Sequence, residues 1–305
     1  MANPYPSTPV PPRRAERSKE RLEPLIVDGR TIMYQDVGHG PTVILAHCSS
    51  GSHKMWAPLV SALRSRYRVL VPDLLGYGES ERWPVNAPLQ RWTDVAALLA
   101  LAELIDGPVH LAGHSYGGAV ALETARLLGE RARSVTLIEP AAFHLLRLTG
   151  RMREWREILG VGGAMSEALR LRRDRRAAAV YMKYWVGRLR WWSMPPRARR
   201  AVVETVGKVG AEFEAVVHLT RTVDDYRGIT APTRLIAGQR TLRPARAIVD
   251  DLLGILPDSH LRVIPGSGHM SPLTHPAAVS SLVAEHIDRV EVSIARNSGH
   301  RRSIA

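Results

Sequence analysis

The chain has one cysteine, Cys48, among its 305 residues, which excludes an internal disulfide framework and a cysteine-built zinc site. It lacks the run of about 18 apolar residues that a membrane span requires; the best candidate, Val95 to Ala102, is ended by Glu103. The N-terminal Met-Ala-Asn-Pro-Tyr-Pro-Ser-Thr-Pro has no apolar core, so no secretory signal is expected. Lysine is scarce. Lys19, Lys54, Lys183 and Lys208 are the only four among 42 basic residues. No zinc finger, RNA-binding signature or heptad array is present. With 45% hydrophobic and 23% charged residues, the chain can build a sizeable core and is not a disordered one. The expectation is a soluble, cytoplasmic globular protein.

Positive charge is abundant, and its location is uneven. Of the net +13, residues 144–228 supply +9 through 18 basic and 9 acidic residues, whereas residues 25–143 and 229–290 together are neutral. A basic segment attracts phosphate, anionic lipid or acidic substrate. With no recognition motif beside it, the segment reads as a surface whose default cation is arginine. Neither a nucleic-acid partner nor stable membrane insertion is expected.

Residues 1–21 read as a flexible Pro/Arg-rich tail and residues 291–305 as a polar C-terminal end, frayed from Arg296 to Ala305. Between them, short β-branched runs alternate with helical patterns, the mark of a mostly parallel sheet with crossover helices. Strands are expected at Leu25–Val27, Thr31–Tyr34, Thr42–Ala46, Arg68–Val71, Val109–Ala112, Ser134–Ile138, Arg234–Ala237 and Arg262–Ile264. Asp28-Gly29 marks a hairpin turn between the first two. Helical patterns cover Met55–Ser65, Leu89–Ile105, Tyr116–Leu128, Pro244–Leu253 and Pro276–Val290. The rhythm breaks over residues 144–228, which turn helical, arginine-rich and aromatic. The fold class is therefore α/β, with about eight strands: a core of residues 22–143 and 229–290 interrupted by a helical cap.

Gly113-His114-Ser115-Tyr116-Gly117 is the sharpest local signal. This G-x-S-x-G directly follows a strand and opens a helix, the context in which a tight turn lifts a serine above the sheet edge. On these residues the chain resembles a serine hydrolase of the α/β-hydrolase superfamily, over about residues 22–290. Two further stretches carry the resemblance. Asp73-Leu74-Leu75-Gly76-Tyr77-Gly78-Glu79-Ser80 is similar to the family's D-x-x-G-x-G-x-S loop, whose aspartate is structural. Gly266-Ser267-Gly268-His269 follows a strand where the family places its base.

A serine hydroxyl needs a base to take its proton and a carboxylate to orient that base. The resemblance implies Ser115 as nucleophile and His269 as base. His47 and His114 flank the site at positions the family fills with structural or oxyanion-loop residues, and His275 reads as a cap of the last helix. The acid departs from the common pattern. Such hydrolases often carry an aspartate about three residues past the glycine that ends the strand Arg234–Ala237, where this chain has Gly238-Gln239-Arg240-Thr241, and neither Gln239 nor Thr241 can hold the negative charge that the imidazolium needs. Glu139 ends the strand next to the nucleophile strand, a place where some relatives carry a glutamate, and is the expected acid. Asp224 and Asp225 are the alternative. Asp250 and Asp251 lie inside a helix.

The oxyanion hole needs two backbone donors. Tyr116 is expected to give one, and Ser49 or Cys48 the other, because His47-Cys48-Ser49 stands where family members usually show His-Gly. In the cap, Trp155, Tyr181, Tyr184, Trp185, Trp191 and Trp192 either line a pocket or pack the cap on the sheet. Trp185, Trp191 and Trp192 are the substrate-contacting candidates, with residues 191–196 expected as a loop. The implied reaction is hydrolysis of an ester, lactone, thioester or related small-molecule acyl substrate, apolar or aromatic, through an acyl-enzyme, with no metal or cofactor. Epoxide hydrolases and haloalkane dehalogenases share the fold but use a carboxylate nucleophile, so Ser115 argues against both. Carbon–carbon hydrolysis and cofactor-free perhydrolysis use the same triad and stay open. A non-catalytic ligand-binding protein retaining the fold is the rival from another class.

Overall fold

A computed structural model describes residues 21–84 and 93–302. Eight strands form one sheet: β1 (Leu22–Val27), β2 (Arg30–Val37), β3 (Thr42–Ala46), β4 (Arg68–Pro72), β5 (Val109–His114), β6 (Ala132–Ile138), β7 (Thr233–Gly238) and β8 (Ser259–Ile264). Their order is β1-β2-β4-β3-β5-β6-β7-β8. β2 pairs antiparallel with β1 and β4, and every other pairing is parallel. The β1–β2 hairpin turns at Asp28 and Gly29, with φ of +50° and +74°, the left-handed pair that a two-residue hairpin loop demands. β3, β5 and β7 are buried along their whole length because helices cover both faces, and their near-continuous apolar sequences follow from that.

On one face lie α2 (Thr93–Glu103), α3 (Tyr116–Leu128) and α10 (Arg243–Ile255), packed into the larger core. On the other lie a 3-10 turn (His53–Trp56), α1 (Ala57–Leu63) and α12 (Pro276–Arg302), with α11 (Ser271–Thr274) just before α12. Six helices fill the crossover from β6 to β7: α4 (His144–Leu148), α5 (Met152–Arg170), α6 (Asp174–Val186), α7 (Arg188–Ser193), α8 (Pro196–Val217) and α9 (Val223–Arg227). α8 buries Val202, Val206, Val209, Phe213 and Val216, a three-to-four-residue spacing that makes one apolar stripe. Each such burial contributes about 1.5–3 kcal/mol relative to an exposed side chain. The stripe fits closely against α5, where a Cβ on Gly162 would stand 2.3 Å from the Phe213 ring.

Several boundaries differ from the sequence reading. β1 begins at Leu22 rather than Leu25, β2 runs to Val37 rather than Tyr34, and β8 begins at Ser259 rather than Arg262. The helix expected over Met55–Ser65 is split, because Pro58 suits the first turn of a new helix starting at Ala57. Residues 191–193, expected in a loop, belong to α7, which ends before Pro195-Pro196. The C-terminal helix runs through Arg302, past the Val290 expected from its apolar pattern, so the last residues are not a frayed end as far as Arg302. The N-terminal tail apart from Arg21, residues 89–92 of the expected helix from Leu89, and residues 303–305 lie outside the described residues.

Candidate active site

The site gathers on the C-terminal edge of the parallel strands, where β5, β6 and β8 each deliver one residue. Ser115 sits between β5 and α3 with φ +53° and ψ −118°. A non-glycine residue held there costs about 1–3 kcal/mol and persists only when its surroundings over-determine it. Here the backbone is pinned from both sides. Ser115 N–H donates to the Ile138 carbonyl at 3.0 Å, and the Ser115 carbonyl accepts from Ala119 and Ala141 at 3.0 and 2.9 Å. The flanking glycines are required by space: a Cβ on Gly113 would lie 2.1 Å from the Gly117 carbonyl oxygen, and one on Gly117 2.3 Å from that of His47.

His269, on the loop after β8, presents Nε2 3.0 Å from Ser115 Oγ and Nδ1 2.7 Å from Glu139 Oε2. A carboxylate only accepts, so Nδ1 carries the proton and Nε2 is left to accept from the serine. All three side chains are buried: Ser115 and His269 at 5% exposure and Glu139 at 1%. The Trp185 ring lies over His269 with centroids 4.2 Å apart, and His114 flanks it at 5.0 Å. Burial and the neighbouring His269 push His114 down to about 3, so this second imidazole stays neutral, with Nε2 hydrogen-bonded to the His269 carbonyl.

Glu139 leaves β6 with φ +42°, a turn that brings its carboxyl towards β7. Oε1 accepts from Gly238 N–H at 2.7 Å, and Oε2 accepts from Thr241 Oγ1 at 2.5 Å as well as from His269. Burial alone would raise this carboxyl, but the His269 hydrogen bond and charge, Thr241 and the Gly238 amide outweigh it and hold it below the usual carboxylate range. The alternative acids are engaged elsewhere. Asp225 closes a capping box with Thr222, Asp224 pairs with Arg227, Asp250 with Arg246, and Asp251 with Arg151. Sequence reasoning set Thr241 aside for want of a charge; it is instead a donor to Glu139. The signal was its place, three residues past Gly238, where the family's usual aspartate would stand.

Asp73 holds the neighbouring loop. Its carboxylate accepts from the backbone of His53 and Glu79 and from the His53 ring. Its pKa would be raised by burial but is held low by those donors. His47 accepts from Leu74 N–H through Nε2 and meets the Cys48 carbonyl through Nδ1, so it too is neutral and structural. His275 ends α11, and its carbonyl accepts from Val279 in the first turn of α12.

A cavity lies over Ser115, lined by Ser49, Tyr116, Ala141, Phe143, Tyr181, Trp185, Phe213 and Glu212 among others. The free space for the centre of a water is about 20 Å³, roughly enough for a single water. Trp185 is the one expected tryptophan that lines it. Trp191 is buried in the core beyond the lining, and Trp192 is 59% exposed on the outer surface, because at their adjacent positions on α7 the two side chains diverge by about 100°. Cys48 is buried against Met55, its thiol pushed up to about 12 first by desolvation. Ser49 faces the cavity instead, and its hydroxyl donates to Glu212 Oε2 at 2.5 Å.

Glu212 belongs to a buried cluster that no local sequence pattern announced. Lys208 Nζ donates to Glu212 Oε1 at 2.8 Å and to Asp94 Oδ2 at 2.7 Å. Asp94 also accepts from Tyr116 OH and from Leu75 N–H. The ammonium lies 5.1–5.3 Å from the ring centroids of Tyr77, Trp83 and Tyr116. Burial opposes the Lys208 charge, but Asp94 and Glu212 raise its pKa overall, while burial leaves Glu212 itself above the usual carboxylate range. This cluster ties α8 of the cap to α2 and to the loop that carries Ser49. Among the described residues, no group of three or more His, Cys, Asp or Glu side chains is arranged to hold a metal ion, and no helix is long and apolar enough to cross a membrane.

This sheet order, crossover insertion and strand-edge site define an α/β-hydrolase fold. The model of the alpha/beta hydrolase family matches residues 43–282, and the chain belongs to that family and is a hydrolase. It is similar to haloalkane dehalogenase 2 of Mycobacterium tuberculosis, 27% identical over 83% of this chain and 90% of that one. A match at 36% identity to the dihydrolipoyllysine-residue acetyltransferase component of the Pseudomonas putida acetoin cleaving system covers 38% of this chain and 31% of that protein, so the chain spans about a third of that relative. Among solved structures, a thermophilic esterase from Thermogutta terrifontis superposes with a TM-score of 0.70 at 21% identity, covering 89% of this chain and 99% of that one. The enol-lactonase from Burkholderia xenovorans LB400 does so with 0.69 at 20% identity, covering 87% and 100%.

Proposed function

We propose that this hydrolase cleaves a small acyl substrate of the ester or lactone type through a serine nucleophile and an acyl-enzyme. The observation that carries the reading is the buried line from Ser115 Oγ to His269 Nε2 and from His269 Nδ1 to Glu139 Oε2, with spacings of 3.0 and 2.7 Å. In this mechanism Ser115 Oγ attacks the carbonyl carbon as its proton passes to His269 Nε2. The new imidazolium is stabilised by the ionised Glu139, whose Oε1 accepts from Gly238 N–H and whose Oε2, facing the imidazole, also accepts from Thr241 Oγ1. Charge collects on the former carbonyl oxygen, where the amides of Tyr116 and Ser49 are the assigned donors. The carbon–oxygen bond to the leaving group then breaks, and the departing alkoxide takes the proton from His269. A water, deprotonated by the same imidazole, attacks the acyl-serine; the bond to Ser115 Oγ breaks, His269 returns the proton to Oγ, and the acid is released.

Phe143, Tyr181, Trp185 and Phe213 in the cavity wall support an apolar or aromatic acyl group. A fluorophosphonate probe and a panel of aryl esters of varied acyl length test the reading together. The intact protein should be labelled and should turn esters over, while Ser115→Ala should lose both with its thermal stability nearly unchanged. Turnover surviving in Ser115→Ala would move the chemistry to another residue.

A further inference from the structure

We infer that the α7 corner of the cap docks onto an anionic lipid surface. α7 presents two faces. Trp191 turns inward and is 6% exposed, whereas Leu189 and Trp192 are 86% and 59% exposed, Leu189 being the most exposed large apolar side chain among the described residues. Spaced three apart, these two share one helix face. Basic residues lie close by along the chain: Arg188 and Arg190 within α7, Arg197 and Arg200 at the start of α8, all exposed. Lys183 reaches in from α6, with Nζ 5.7 Å from the Trp192 ring centroid. Residues 183–203 contain six Lys or Arg and no Asp or Glu, so no carboxylate within the segment neutralises the corner.

Cations alone would suit any polyanion, and the apolar pair selects among them. A leucine standing in water gains nothing from a phosphate backbone, but an acyl–headgroup boundary takes in leucine and the indole while arginines meet lipid phosphates. Charge complementarity then favours anionic over zwitterionic headgroups. The corner adjoins α6, which contributes Tyr181 and Trp185 to the cavity wall, so a docked cap would hold its substrate cavity close to the lipid surface. The contact proposed is peripheral: among the described residues, no helix is long and apolar enough to cross a membrane.

Co-sedimentation of the full chain with phosphatidylcholine vesicles, and with mixed phosphatidylcholine–phosphatidylglycerol vesicles, tests the inference. The protein should bind the mixed vesicles, leave the zwitterionic ones in solution, and be released as salt is raised. L189S/W192S should weaken partitioning by roughly tenfold. R188Q/R190Q/R197Q should weaken it by about fivefold per arginine. The control is R172Q/R173Q/R175Q at the other end of α6, about 20 Å away, which should change binding by no more than about a factor of two. Three results would overturn the proposal: no binding to mixed vesicles, L189S/W192S binding like the parent, or the control triple losing as much as the corner triple. Preference for single-stranded RNA over mixed vesicles at equal salt would also do so. The variants lie on the outer surface, so turnover of a water-soluble ester should be unchanged in all of them. That readout separates failure of docking from failure of the acyl-hydrolase reading.

Discussion

At the scale of single residues, the division of labour between Glu139 and Thr241 is the sharpest point for experiment. Glu139→Gln keeps shape and hydrogen bonding but removes the charge that selects the His269 tautomer, and turnover should fall by roughly three to four orders of magnitude. Thr241→Val removes one donor from a carboxylate that still has Gly238 and His269, so about a tenfold loss is expected. The double variant Glu139→Gln/Thr241→Asp supplies a carboxylate from the neighbouring position, since Thr241 Oγ1 already contacts Glu139 Oε2, the oxygen that meets His269. It should recover at least about tenfold over Glu139→Gln alone. Steady-state rates on one aryl ester decide all three, and a double variant as dead as the single one would mean that position 241 cannot reach the imidazole. Ser115 and His269 were legible in sequence because each lies in a short glycine-flanked motif beside a strand. Glu139 was legible only by its place at a strand end, and its left-handed φ left no trace in the sequence. Thr241 was not legible as part of the site, because an uncharged side chain there acts as a donor to the acid rather than as the acid.

At the scale of elements, strands buried on both faces were legible to within a residue or two, since their mostly apolar runs carry few polar residues, such as His110 in β5 and Arg234 in β7. β1, β2 and β8, at or next to the edges of the sheet, were each read three residues too short at one end. Ser259 and His260 belong to the edge strand β8, where one side faces solvent and polar residues are tolerated. The Lys208–Asp94–Glu212 cluster was not legible, because it joins positions 114 residues apart in sequence and no local periodicity records such a pair. Its energetic consequence is large. Lys208→Met would strand two buried carboxylates without their shared cation, and a loss of about 3–5 kcal/mol in folding stability is expected. Lys208→Arg should restore little, because a planar guanidinium is a poor substitute for a compact ammonium between two helices and three rings. Urea denaturation followed by circular dichroism measures both. Wild-type midpoints in both variants would show that the cluster contributes nothing to holding α8 on α2.

At the scale of the whole molecule, buried histidines set the acid limit. His114, His144 and His286 are pushed down to about 3, 4 and 4, each first by burial, and His47 and His110 are lowered in the same way. A histidine whose folded pKa is depressed binds its proton in the unfolded chain first. The stability it contributes is therefore complete above about pH 6.5 and drains away as pH falls towards the folded values. Each such group adds a slope of about 1.4 kcal/mol per pH unit in that window. With several acting together, stability should drop by several kcal/mol between pH 7 and pH 5, read as a falling urea midpoint. A flat profile over that range would mean that these imidazoles titrate normally in the folded protein.

The solitary thiol offers a clock for motion at the site. The intact structure shields Cys48, 5% exposed beside Ser49, and leaves space for only about one water above Ser115. On the acyl-hydrolase reading, a substrate larger than a water should enter only when the helices over the site part from the Ser49 loop, and the same parting should uncover the sulfur. Because the chain has no other cysteine, alkylation by a small thiol reagent counts openings of this one place. Compared with an unfolded reference, its rate yields the free energy of opening. Loosening the cap through Lys208→Met should speed the reaction, and occupying the cavity with an acyl-mimicking inhibitor should slow it. If alkylation is indifferent to both, thiol exposure and substrate entry use separate motions.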